Sequence, residues 1–143
     1  MRFLIIPTLL DPSKSVVDAP FDEALFMAFM KFNEDMHQAG VLVASEGLQP
    51  ATTGAHVLVK GGKRKVVDGP YAESKELVAG FWLIDVKSRA EAIEWATRAP
   101  VNPAGDEVIE VRQLTGSADL PPELNALIKR AAPTWSAMFD GHK

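Results

Sequence analysis

A chain of 143 residues is long enough for one domain with a single buried core. Its 47% hydrophobic and 24% charged residues argue against disorder, and a net charge of −4 offers no basic footprint for nucleic acid. With no cysteine there is no disulfide scaffold, no thiolate nucleophile and no cysteine-bound metal.

Arg2 to Leu10 is rich in β-formers and ends at Asp11-Pro12, which predicts a first strand. Pro7 breaks this apolar run and no small-residue cleavage site follows, so a strand fits better than a secretion signal. No stretch has the length of a membrane span, and a cytoplasmic, membrane-free protein is expected. Ser13 to Pro20 reads as a loop. From Phe21 to Ala39, Leu25, Phe29, Phe32 and Met36 recur at helical spacing, with Asp22 and Glu23 suited to the first turn and Gly40 placed to end the helix. Val41 to Leu48 is a second strand.

Ala55 to Lys60 and Lys63 to Val67 flank Gly61-Gly62, whose freedom at positive φ predicts a tight hairpin. Ala79 to Val86 is a further strand. Ser88 and Glu91 form a capping box opening the helix Arg89 to Arg98, and Val108 to Leu114 is the last core strand. Leu120-Pro121-Pro122 opens a helix with Leu124, Leu127 and Ile128 on one side, closed by Pro133, and Trp135, Met138 and Phe139 make an apolar tail. With the Gly-Gly hairpin set aside as an insertion, the order β-α-β, β-α-β predicts an α+β fold, the ferredoxin-like split βαβ sandwich. Residues 1–114 form this domain and residues 115–143 a C-terminal helical extension and tail.

Two helices cover one face of such a sheet, so its strands should alternate apolar with polar. Instead Phe3, Leu4, Ile5 and Ile6 are all apolar, as are Val41 to Val43 and Trp82 to Ile84. The second face needs cover. A second copy of the chain would supply it in a homodimer of the dimeric α+β barrel type; the C-terminal segment competes for that role.

Asp68 leads the candidates for chemistry. It precedes Gly69-Pro70, where an aspartate serves turn geometry, but Glu73, Lys75 and Glu76 follow closely and would suit it to proton transfer. Pro70 would start a helical turn with Tyr71, Ser74 and Lys75 on one side and Glu73 and Glu76 on another. Glu46 closes a mostly apolar strand, either at a wet sheet edge or aimed into a cleft. His37 follows Glu34 by three residues, half of a di-metal helix motif that lacks its second copy, so no metal is expected. His56 falls on the wetter face of the hairpin and His142 in the tail. Phosphate-binding glycine loops and a serine-nucleophile elbow are both missing, and no cofactor is expected.

Val66 to Glu76, Gly80 to Val86 and Glu91 to Ala96 together resemble the YCII-related proteins, in the DGPF subgroup, with Tyr71 where Phe is usual. Ser45-Glu46-Gly47-Leu48 is similar to another segment of that pattern. The resemblance implies the ferredoxin-like fold, a homodimer, and a cleft beside Asp68 with Glu46 nearby. Some wider-family members carry a histidine earlier in the first helix, and none stands near Phe29 here. The clustered charges beside an apolar strand, with the barrel-like dimer, point to an enzyme-like or small-molecule-binding homodimer. In it Asp68 and Glu46 would be catalytic, and Tyr71, Glu73, Lys75 and Glu76 would contact the ligand. The alternative is a regulatory or ligand-sensing partner of another protein, since relatives are associated with extracytoplasmic-function sigma factors.

Overall fold

The computed structural model describes residues 1–11, 20–69, 77–103 and 105–140. In chain order these form β1 (Arg2–Leu9), α1 (Glu23–Gln38), β2 (Leu42–Gly47), β3 (Ala55–Lys60), β4 (Lys63–Asp68), β5 (Leu77–Val78), β6 (Gly80–Asp85), α2 (Arg89–Thr97), β7 (Glu107–Gln113), α3 (Pro122–Ala131) and α4 (Pro133–Asp140). The fold is α+β, with antiparallel strands in the main sheet and helices packed against it.

β1 lies at the centre of that sheet, between β6 on one side and β7 on the other, and β2 extends it beyond β6. β5 continues the line of β6 along β1 with a change of register. From Ile5 to Thr8 is three residues, whereas the partners Trp82 and Val78 are four apart. The extra residue makes a bulge within Ala79–Phe81, a device that re-aims side chains beside a site.

β1 alternates strictly at its start: Phe3 and Ile5 are buried, Leu4 and Ile6 half-buried. The buried set meets Trp82 and Ile84 of β6 and is covered by Phe32 and Met36 of α1 with Ala92, Trp95 and Ala96 of α2. Both helices therefore cover one sheet face. Phe32 fixes the packing by placing its ring edge-on to Trp82, at 5.1 Å between centroids, and near Trp95, at 6.1 Å.

The caps follow from local chemistry. Asp22 stands just outside α1 and its carboxylate accepts the Leu25 N–H at 3.0 Å, so it caps the helix rather than joining its first turn. Gly40 has φ +70°, the left-handed geometry that ends a helix. The Ser88 hydroxyl accepts the Glu91 N–H at 3.1 Å, and the Glu91 carboxylate takes the Lys87 N–H at 2.9 Å, one residue ahead of the expected capping-box donor.

Among the described residues β3 and β4 pair only with each other, around Gly61 and Gly62 at φ +56° and +74°. Every residue of β3 is exposed, including Val57, Leu58 and Val59. The apolar tail is a helix, α4, in which Trp135 stacks on Phe139 at 5.1 Å, and Pro133 opens it instead of merely ending α3. Among the described residues, no helix is long and apolar enough to cross a membrane.

Candidate functional site

A cleft of about 370 Å³ opens on the helix-covered face, where the first half of α1 overhangs the ends of β1, β2, β6 and β7. Small-molecule sites span roughly 300–1,000 Å³, so this one suits a compact ligand. Leu9, Leu25, Phe26, Phe29, Met30 and Phe81 give its walls an apolar character. Phe26 and Met30 are 47% and 42% exposed, apolar surface that a purely structural helix would keep covered.

One polar group stands within these walls with its orientation fixed. Asn33 follows Phe29 by one helical turn on α1, so both share a face. Its Oδ1 accepts the Trp82 indole N–H at 2.7 Å and the Ser45 hydroxyl at 3.1 Å. An indole N–H only donates, so the amide oxygen must face it. The Nδ2 is thereby turned away from the core, with no acceptor among the described residues, on a residue that lines the cleft. Phe29 lies over Trp82 at 5.9 Å and nearly parallel, holding the indole in place.

Two carboxylates border the same space. Glu107 pairs with Leu9 across the β1–β7 ladder, which puts it on the core-facing side with Ile109 and Val111. It is half-buried, and its Oε1 accepts the Asn102 backbone N–H at 3.3 Å. Glu46, an exposed residue near the end of β2, pairs with Phe81 and also lines the cleft. Backbone closeness makes this seam possible. A Cβ on Gly80 would lie 2.5 Å from the Glu46 carbonyl oxygen, so only glycine lets β6 approach β2 here.

Of the residues expected from sequence, Glu46 thus belongs to the cleft. Asp68 ends β4, exposed, paired with Ala55 and followed by a Gly69 N–H to Gly54 carbonyl bond of 2.9 Å. It is not part of the cleft's described lining. Tyr71, Glu73, Lys75 and Glu76, with the helical turn expected from Pro70, lie outside the described residues, as does His142. His37 is exposed in the last turn of α1 and His56 is exposed on β3. Among the described residues, no three His, Asp or Glu side chains gather as a metal site.

Sequence reasoning missed Asn33, Ser45 and Glu107 as site residues. A signal for Asn33 was present: it is a polar residue within the Phe29–Phe32–Met36 stripe, where an unpaired amide would be costly.

A 59-residue stretch is 42% identical to an uncharacterised protein of Rhizobium meliloti (strain 1021), covering 41% of this chain and 48% of that protein. The chain thus spans about half the length of that curated relative. Residues 1–115 match the YCII-related domain, which takes in β1 to β7, the cleft and the exposed hairpin. On that match across most of its length, the chain belongs to the YCII-related family.

Proposed function

We propose that the protein is a homodimer that binds a small organic molecule in the cleft under α1. The observation that carries this is Asn33: a polar side chain clamped by Trp82 and Ser45 in one orientation on the wall of an apolar recess. Such pre-orientation lowers the cost of binding, because no side chain has to be immobilised afterwards. In the enzyme-like form of this reading, Glu46 and Asp68 are the acid–base pair. The segment bearing Tyr71, Glu73, Lys75 and Glu76 supplies further contacts, as it joins Asp68 to the wall at Ala79 and Gly80.

A ¹⁵N-correlated NMR titration with 1-hexanol, hexanoate and hexylammonium tests the binding. At least one should produce saturable shifts of the Trp82 indole N–H and the Asn33 side-chain amide. The absence of shifts for all three at millimolar concentration would reject the cleft as a binding site.

The strand order β2-β6-β1-β7 with two helices on one face supports the ferredoxin-like description, and the opposite face supports the dimeric barrel. Thr8 there pairs with Val78 on one side and Val108 on the other, and both valines are exposed, at 42% and 49%. Leu4 pairs with Leu83 on the same face. The C-terminal helices leave Val78 and Val108 uncovered and expose their own Leu124, Leu127, Trp135 and Met138, so a second copy is the better cover. Wild type should sediment as a dimer at micromolar concentration, and the Val78→Lys/Val108→Lys variant as a folded monomer. A wild-type monomer would remove the barrel.

A further inference from the structure

We infer that the cleft selects a small amphipathic organic cation, an alkyl- or arylammonium, over neutral and anionic molecules of the same shape. This rests on the reading of the cleft as a small-molecule site and names its ligand class.

Charge is the first argument. Among the described lining residues Glu46 and Glu107 are ionisable and acidic, while none is Lys, Arg or His. Among the described residues neither glutamate has a cationic partner: the ion pairs there join Asp35, Asp85, Glu110 and Asp140 to other groups. The described lining therefore carries net negative charge, and a carboxylate ligand would meet like charge there. Glu107 matters more, because it is half-buried on the core-facing side of β7 next to Leu9. Its Oε1 is engaged by the Asn102 N–H, and its Oε2 has no donor among the described residues. A group there is screened less than one on the open surface, so its attraction for a cation is stronger.

The walls supply the second argument. Phe26, Phe29 and Phe81 line the recess, and aromatic faces attract cations through their quadrupole. Their apolar bodies also take up an alkyl or aryl tail. Acidic groups beside aromatic walls are the chemistry that recognises ammonium ligands carrying hydrocarbon.

The titration above decides the point when the three probes are ranked. Hexylammonium, charged at pH 7, should bind about tenfold more tightly than 1-hexanol, a gap of about 1.4 kcal/mol, with hexanoate weakest. Glu107→Gln keeps an acceptor for the Asn102 N–H while removing the charge, and should bring hexylammonium to within about twofold of 1-hexanol, the gap closing by most of that 1.4 kcal/mol. Equal affinities in wild type, or a preference for hexanoate, would overturn the inference while leaving the cleft a binding site. Full preference retained in both Glu107→Gln and Glu46→Gln would overturn the assigned residues. No binding by any probe would remove the parent reading and this one with it.

Discussion

Replacing Trp82 with alanine is expected to cost about 3–5 kcal/mol, the usual range for deleting a buried indole. Trp82 is 4% exposed and sits where three things meet. Phe32 packs edge-on against it, Phe29 covers its face, and its N–H is bound by Asn33. Truncation leaves a cavity that neighbouring strand backbone cannot fill, and frees the Asn33 amide to rotate. The midpoint of thermal unfolding should fall by on the order of 10 °C. Trp82→Phe separates the two contributions. It keeps most of the ring packing and loses the donor, so it should cost about 1–2 kcal/mol. In a double-mutant cycle with Asn33→Ala, a coupling of about 1 kcal/mol is expected from urea denaturation. An additive cycle would show that the 2.7 Å bond does not hold the amide in place.

Gly80→Ala is the second large effect. The new Cβ would meet the Glu46 carbonyl oxygen at 2.5 Å and the Gly47 Cα at 3.2 Å, both backbone atoms that cannot swing aside. β2 must shift from β6 at its end, at a cost of about 1–3 kcal/mol. The shift falls on the cleft, because Ser45, Gly47 and Gly80 all line it. Gly47→Ala is the matched control, since a Cβ there meets nothing within 4 Å and φ is not positive. Urea midpoints should separate the two variants clearly, and only Gly80→Ala should displace the Trp82 indole resonance. Equal midpoints would mean that the seam is looser than its geometry states.

How much was legible in the sequence depended on the range of each interaction. The α1 stripe of Phe29, Phe32 and Met36 was readable because a helical period is local, and Gly61-Gly62 because a two-residue turn is more local still. The apolar doubling of β1 was equally plain, and Leu4 and Ile6 do face away from the helices. The site was harder. Asn33 is bound to a residue 49 positions away, and nothing near it in the chain announces Trp82 as its partner. Glu107 was hidden by a boundary: the strand was expected from Val108, and the structure begins it at Glu107. That one residue sets a carboxylate on the inward stripe beside Leu9 instead of in a loop. Asp68, chosen for the company of its neighbours in the chain, stands at the end of the hairpin, and those neighbours lie outside the described residues.

The hairpin also bears on Asp68. Two strands that, among the described residues, pair only with each other, with every β3 residue exposed, are marginal in water, since each backbone bond competes directly with solvent. Such a unit opens without unfolding the core, and its amides should trade their hydrogens for deuterium long before those of β1 and β6. Asp68 rides on this arm through its pairing with Ala55. Its location is therefore governed by a small, independent opening equilibrium, which anything that grips the exposed valines would tilt toward the closed form.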